Sequence, residues 1–148
     1  MQIFYGLIQK YFGKLCYMKK LDNFQATLRN LKDIFSYQEP YGNVETTGMV
    51  GLYEICFEQA WKAMKEILSN HGYAEGETGS PRTILKTAYK AGMISDEELW
   101  LSALTSYNNV AHAYNEAIAL DIINQIKTII MICLLNCHRQ LNRIGFSS

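Results

Sequence analysis

One histidine lies between two tyrosines in the segment SYNNVAHAYNE (residues 106–116), where the residue types could support chemistry. A histidine side chain titrates near neutrality and can act as a general acid or base. A tyrosine adds one neutral hydroxyl donor. The spacing predicts that Tyr107, His112 and Tyr114 lie near one face at the end of a helix. The segment is compatible with a catalytic site, with the remnant of one, and with a simple junction between two helices.

A row of charged residues around the phrase FEQAWK offers a second, weaker candidate. Glu54 and Glu58 lie four residues apart and share a helix face, as paired catalytic acids can. Lys62 continues that row and favours ordinary ion pairing instead. We therefore interpret Glu58, Trp61 and Lys62 as structural or partner-contacting residues, with Trp61 packed between helices.

The cysteines and glycines do not have the spacing of a metal or phosphate site. Cys133 and Cys137 lie four residues apart, but His138 follows on another face of the helix, which leaves a tetrahedral ligand set incomplete. The glycines of GYAEGETG lack the following lysine of a P-loop. We predict no metal site and no bound cofactor.

Composition limits the class of protein. The 148 residues are enough for one domain with its own core. Lysine plus arginine and aspartate plus glutamate number 14 each, so no overall field attracts nucleic acid or an acidic membrane, although local patches survive a neutral total.

The four cysteines include no C-x-x-C pair and fit a reducing, cytoplasmic setting. The longest apolar run, Thr128–Leu135, is shorter than the roughly 20 residues of a membrane span, so we predict none.

The first 17 residues place apolar and aromatic side chains at helical spacing, with Lys10 and Lys14 elsewhere on the wheel. A helix of this kind can lie on a membrane surface. The alternatives are an extra helix packed on the domain, or sequence upstream of a start at Met18. We predict an N-terminal extension over residues 1–17, helical or partly disordered, and a helical bundle domain over residues 18–143.

Two further helices follow from the pattern in the first half of the chain. Apolar residues recur at intervals of three and four from Met18 to Tyr37, and Pro40 ends that helix. A second helix begins near Thr46 or Thr47, either of which can cap it, and ends at Gly72. The glycine-rich stretch GYAEGETG predicts a loop.

Capping residues define the helices of the second half. Ser80 followed by proline opens one helix, and Ser95 with Glu98 forms a capping box for the next. The pattern breaks around His112, after which Asn115 can cap a long final helix. No alternation typical of strands occurs. The sequence predicts an all-α, up-and-down four- to five-helix bundle.

Five phrases of the sequence, in a fixed order, carry a family resemblance. They are MKKLDNF (Met18–Phe24), FEQAWKAMKEIL (Phe57–Leu68), SPRTILKTAYKAGMI (Ser80–Ile94), ELW (Glu98–Trp100) and NNVAHAYNE (Asn108–Glu116). Together they resemble the nucleotidyltransferase substrate-binding protein family of the HEPN superfamily, which is similar to HepT-type toxins. The resemblance covers about residues 18–140.

The resemblance implies a homodimeric helical bundle that pairs with a small, separately encoded nucleotidyltransferase, MntA-like in the toxin systems. It implies one of two roles. The protein is either the substrate-binding accessory subunit of that enzyme, or a HEPN ribonuclease toxin of a toxin–antitoxin pair that the partner silences. RNA is a ligand only in the second case.

The toxin members carry a motif R-x4-H-x-Y, which the resemblance transfers position by position. His112 matches the catalytic histidine, Tyr114 matches the tyrosine that receives AMP, and Asn108 matches the polar residue after the arginine. Tyr107 occupies the arginine position. Because a tyrosine supplies no permanent charge to a phosphate, this difference is expected to reduce RNA cleavage by about 10²–10³-fold or more.

A second subunit could bring another arginine, Arg82 or Arg29, into the cleft of a dimer. The missing arginine and the neutral total charge nevertheless favour an accessory subunit without enzymatic activity of its own. A weakened HEPN ribonuclease is the alternative.

Overall fold

The computed structural model describes residues 1–146, with side chains through residue 144, and every regular element in that part of the chain is helical. The predicted all-α bundle is confirmed, with five helices of ten or more residues once the last segments are joined. The elements are α1 (Gln2–Lys32), a 3-10 turn (Asp33–Ser36), α2 (Asn43–Asn70), α3 (Glu75–Thr78), α4 (Pro81–Lys90), α5 (Glu97–Asn108), a 3-10 turn (Asn109–His112), α6 (Glu116–Gln125), a π-helical turn (Ile126–Ile130) and α7 (Met131–Phe146).

Helix α2 lies at the centre of the bundle and contacts all the other α-helices. Its aromatic side chains form the middle of the core, where Phe57 packs 5.9 Å from the rings of both Tyr53 and Trp100. The buried hydroxyl of Tyr53 donates a 2.7 Å hydrogen bond to the carbonyl of Ala103 in α5. Burying each such ring contributes about 1.5–3 kcal/mol to stability, so this cluster fixes α5 against α2.

Helix α1 has two halves with different environments. The second half packs against the bundle through a buried row with alternating spacings of four and three residues, Tyr17, Leu21, Phe24, Leu28 and Leu31. The first half carries large apolar side chains that are exposed. The helix runs without a break through the proposed boundary between residues 17 and 18, and that boundary stays a prediction.

The start of α2 and the following loop differ from the sequence-based expectation. The helix begins at Asn43, three residues before Thr46, because Glu45 accepts a 3.0 Å hydrogen bond from the N–H of Gly42 and closes the first turn. Thr46 is not the cap; its hydroxyl donates to the carbonyl of Asn43. The stretch GYAEGETG is not a pure loop, since Glu75–Thr78 form the one-turn helix α3 against the end of α2.

Two of the three caps predicted for the later helices are confirmed by the structure. The Ser80 hydroxyl accepts from the N–H of Thr83 at 3.3 Å, and Asn115 caps α6, as predicted. The predicted capping box of Ser95 and Glu98 is wrong. Asp96, the residue after Ser95, is the N-cap of α5. Its carboxylate accepts a 3.0 Å hydrogen bond from the N–H of Leu99, which is the bond that an N-cap side chain makes to the first turn of a helix.

Helix α6, the π-helical turn and α7 form one continuous helix, the final helix, which crosses the core. Its inner row includes Ile122, Ile126, Leu134 and Leu141. From Glu116 to Ile144 it is long and apolar enough to cross a membrane by length and composition, a test that core helices also pass. The expectation of no membrane span stays a prediction.

Candidate functional site

The candidate site lies where α5 ends and α6 begins. Helix α5 stops at Asn108, a 3-10 turn carries the chain to His112, and the side chain of Asn115 restarts the helix. Its carboxamide oxygen accepts from the N–H groups of Ala117 and Ile118 at 3.0 and 3.4 Å. This local capping holds the short linker as a fixed corner rather than a loose loop.

His112 and Tyr114 stand together on the outer side of this corner. Both side chains are exposed, Tyr114 to 89%. Their ring centroids are 6.5 Å apart in an edge-to-face arrangement. An imidazole and a phenol are therefore both accessible to a ligand or to another protein.

Tyr107 turns away from this pair and towards α2. Its ring stacks on Phe57 with a centroid distance of 4.9 Å, and its hydroxyl donates a short hydrogen bond to a carboxylate oxygen of Glu58. Burial and the neighbouring carboxylate of Glu58 raise the pKa of Tyr107 to about 12. The hydroxyl is thus protonated at neutral pH, and its one proton is committed to Glu58.

Glu58 joins the tyrosine to a lysine one helical turn further along α2. The Lys62 ammonium lies 2.6 Å from the other oxygen of the same carboxylate. The bonds from Lys62 and then Tyr107 lower the pKa of Glu58 and keep it ionised. Because the lysine charge is offset by this carboxylate, the three groups together present no net cation.

The remaining candidate residues lie apart from this chain of hydrogen bonds. Asn108 is exposed at the last turn of α5, and Arg82 and Arg29 are exposed on α4 and α1. In residues 1–144, no hydrogen bond or ion pair links either arginine to the corner. Trp61 is half-buried between helices with Lys65 5.9 Å above its ring, and its indole N–H is buried without a partner.

In the described part of the chain, Cys133, Cys137 and His138 do not gather into a group of three possible metal ligands. Cys133 and Cys137 are buried, and burial raises the pKa of the Cys133 thiol to about 12. The ring of His138 packs edge-on against Phe24 at 5.4 Å. The two thiols are part of the core, and His138 is half-buried at its edge.

Sequence reasoning missed the link between Tyr107 and Glu58. The four-residue spacing of Glu58 and Lys62 predicts their ion pair, but Tyr107, which also bonds to Glu58, lies 49 residues from it in the chain. No local pattern indicates such a contact. The corner thus has an exposed histidine and an exposed tyrosine beside the group of Tyr107, Glu58 and Lys62, whose charges offset one another. This arrangement suits polar contacts rather than the binding of a phosphate.

Comparisons with known proteins agree with this architecture. A crystal structure of a protein from Thermus thermophilus superimposes with a TM-score of 0.63 at 24% identity, covering 82% of this chain and 98% of the other. A Haemophilus influenzae structure, described as the fold of a substrate binding domain of a nucleotidyltransferase, gives 0.64 at 19% identity and covers 87% and 98%. No relative was found among curated proteins.

The sequence itself matches a family. The match runs over residues 19–143, which include α2, the whole of the corner and the Tyr107–Glu58–Lys62 group. The residues before it form the exposed first half of α1 and include Tyr17, the first buried residue of that helix. The chain therefore belongs to the family described as nucleotidyltransferase substrate binding protein like.

Proposed function

We propose that this protein is the substrate-binding accessory subunit of a small, separately encoded nucleotidyltransferase. The family and the bundle fold support this role. The observation that carries it is the hydrogen bond from Tyr107 to Glu58. At the position where a HEPN nuclease has an arginine, this chain has a neutral side chain whose proton is already donated.

Transition-state stabilisation in RNA cleavage requires positive charge or strong donors at the phosphate. Lys62 is the cation bonded to this cluster, and its charge is held by Glu58. The corner can still contact a nucleotide or the partner through His112 and Tyr114, both of which are exposed. Binding without cleavage is the function that this geometry supports best.

A weakened HEPN ribonuclease is the second candidate. The exposed pair of His112 and Tyr114, at the spacing of the toxin motif, supports it. In that case the hydroxyl of Tyr114, which is 89% exposed, accepts AMP that the partner transfers from ATP with release of pyrophosphate. Transfer of AMP from the partner to Tyr114 would then be lost in Tyr114→Phe and retained in Tyr89→Phe, a control at another exposed tyrosine.

The first experiment is co-expression with the nucleotidyltransferase encoded nearest to this gene, followed by size-exclusion chromatography with light scattering. We expect a stable complex, with the present chain as a homodimer inside it, and no cleavage of single-stranded RNA by this chain alone. RNA cleavage that disappears in His112→Ala would support the ribonuclease instead. Failure of the two proteins to co-elute would contradict both roles.

A further inference from the structure

The first half of α1 exposes an unusually large apolar surface. Eight large side chains between residues 3 and 15 are from 44% to 83% exposed. At 100° per residue they cover an arc of about 200° on a stretch of helix about 20 Å long. Contiguous apolar patches of this size mark contact sites. The eight are Ile3, Phe4, Tyr5, Leu7, Ile8, Tyr11, Phe12 and Leu15.

The helix is held to the bundle by its opposite, polar face. Gly6, Gln9 and Gly13 line a groove of about 650 Å³ against the end of α2. The Asn70 side chain donates a 2.9 Å hydrogen bond to the carbonyl of Gly13, and a β-carbon at Gly13 would lie 2.9 Å from Asn70 Oδ1. The apolar arc therefore points away from the protein, which is the reverse of an ordinary helix packed on a domain.

The charge of the residues around this arc indicates which kind of surface it contacts. Residues 1–21 contain four lysines, Lys10, Lys14, Lys19 and Lys20, and no acidic residue. The rest of the chain then has ten cations against 14 acids, a net charge of −4. Lys10 and Lys14 are exposed and lie at the border of the apolar arc, where they also line the groove together with Glu77. From this border their long side chains can extend towards anionic groups. The helix is thus both apolar and basic, and the bundle behind it is acidic.

An anionic lipid bilayer matches both properties. Its acyl region takes up the aromatic and aliphatic side chains, and its headgroups attract the lysines. Paired α1 helices of two copies would instead bring lysines together with no acids on these segments to offset them. Nucleic acid would use the lysines and leave the apolar arc in water. We propose that the first half of α1 binds in the plane of an anionic membrane surface, with the bundle held above it.

The test uses the full chain and vesicle flotation. Vesicles contain phosphatidylcholine with about 30% phosphatidylserine, or phosphatidylcholine alone, at about 0.1 M salt. We expect the protein to float with the anionic vesicles and to bind far more weakly to the neutral ones. Absence of binding to anionic vesicles would overturn the proposal.

Two variants separate the apolar and electrostatic contributions. The triple variant Phe4→Gln, Leu7→Gln, Tyr11→Gln should weaken binding by at least about 100-fold, because it removes the middle of the apolar arc. The double variant Lys10→Gln, Lys14→Gln should weaken it by about 30-fold. Circular dichroism of each variant checks that the helix remains.

The matched control changes exposed apolar residues of the bundle. Ile55→Gln with Ile132→Gln removes two side chains that are 54% and 59% exposed, and should leave vesicle binding unchanged. Equal loss of vesicle binding in this control would overturn the proposal.

Other occupants of the arc give distinct results. A dimer that dissociates only in the triple variant would identify a second copy and overturn the proposal, as would RNA binding that needs the lysines but not the apolar residues. Because Phe4, Leu7 and Tyr11 precede the family match, the triple variant should still form a complex with the nucleotidyltransferase, so this test stands apart from the proposed function.

Discussion

At the scale of single residues, the hydroxyl of Tyr107 decides what the corner can do. It is a neutral donor that is turned towards α2 and bonded to Glu58. The same carboxylate that receives it also holds Lys62. Charge at the corner is thus satisfied internally, while His112 and Tyr114 remain free to contact another molecule through exposed rings.

Replacement of Tyr107 by arginine alone should not create a ribonuclease. The guanidinium would lie beside the ionised Glu58 and form an ion pair with it, which offsets the charge that a phosphate needs. We expect Tyr107→Arg to remain inert on single-stranded RNA and the double variant Tyr107→Arg, Glu58→Gln to gain cleavage that depends on His112. The measurement is the cleavage rate of a labelled oligonucleotide.

The matched control for this experiment is Tyr107→Arg, Glu54→Gln, which removes an exposed carboxylate one turn away and leaves Glu58 in place. Cleavage by Tyr107→Arg alone, equal to that of the double variant with Glu58→Gln, would contradict the role given to Glu58.

Glu58 should also make stability depend on pH in the acid range. Its bonds to Lys62 and Tyr107 lower its pKa from the ordinary 4.5. A carboxylate with a depressed folded-state pKa stabilises the protein above the unfolded value and loses that contribution as the pH falls through the folded value. The difference in urea midpoint between wild type and Glu58→Gln should therefore narrow as the pH falls below about 4.5.

Glu54→Gln is the control for this pH dependence, since Glu54 is exposed and has no hydrogen bond or ion pair within residues 1–144. Its unfolding curve should follow that of wild type at each pH. If the difference in urea midpoint between wild type and Glu58→Gln stayed constant from about pH 7 to about pH 3, the ionised carboxylate would contribute nothing to stability.

At the scale of elements, caps fix where the helices around the corner begin. The structure assigns the cap of α5 to Asp96, whereas the sequence pattern favoured Ser95. Asp96→Ala should lower the free energy of unfolding by about 1 kcal/mol, and Ser95→Ala should change it by less than about 0.5 kcal/mol. Chemical denaturation of both variants decides between the two caps, and equal effects would contradict the assignment.

The one-turn helix α3 depends on a glycine that admits close approach. A β-carbon on Gly76 would lie 2.7 Å from the Cα of Ser69 in α2, a backbone atom that cannot move aside. Gly76→Ala should therefore destabilise the protein by about 1–3 kcal/mol. Gly48→Ala is the control: nothing lies within 4 Å of its β-carbon inside α2, so it should stabilise by about 0.5–1 kcal/mol. Thermal unfolding measures both changes.

At the scale of the whole molecule, the final helix completes the core although its composition would allow a membrane span. Leu134 is fully buried, whereas Ile132, two residues earlier, is 59% exposed. Leu134→Ala should cost about 2–5 kcal/mol of unfolding free energy, and Ile132→Ala less than about 1 kcal/mol. Denaturation in the absence of detergent is the measurement, and similar small effects at both positions would contradict a packed core helix.

The charges of the whole molecule are also divided in a way that the neutral total conceals. The exposed half of α1 and the few residues after it are basic and apolar, and the bundle is acidic. If α1 lies on a membrane surface, this division orients the bundle away from the anionic headgroups by electrostatic repulsion. The corner at His112 would then be presented at a fixed side of a membrane-bound bundle.

The sequence by itself determined the helical class, the approximate helix positions and the caps at Ser80 and Asn115. These features depend on residues within one or two turns of each other, so local spacing is enough to predict them. The misplaced cap at Ser95 shows the limit of that reasoning, since two neighbouring polar residues both fit the pattern and only the backbone geometry at Asp96 selects one.

Only the tertiary structure decided the character of the candidate site and the direction of α1. Tyr107 meets Glu58 across 49 residues of sequence, and Gly76 admits the backbone of α2 because two segments cross there. The wheel of α1 has an apolar face in any fold, but the hydrogen bond from Asn70 of α2 to the carbonyl of Gly13 holds the glycine face towards the bundle and leaves the apolar face outward. Contacts between distant segments are set by how whole helices pack, which no local pattern of residues specifies.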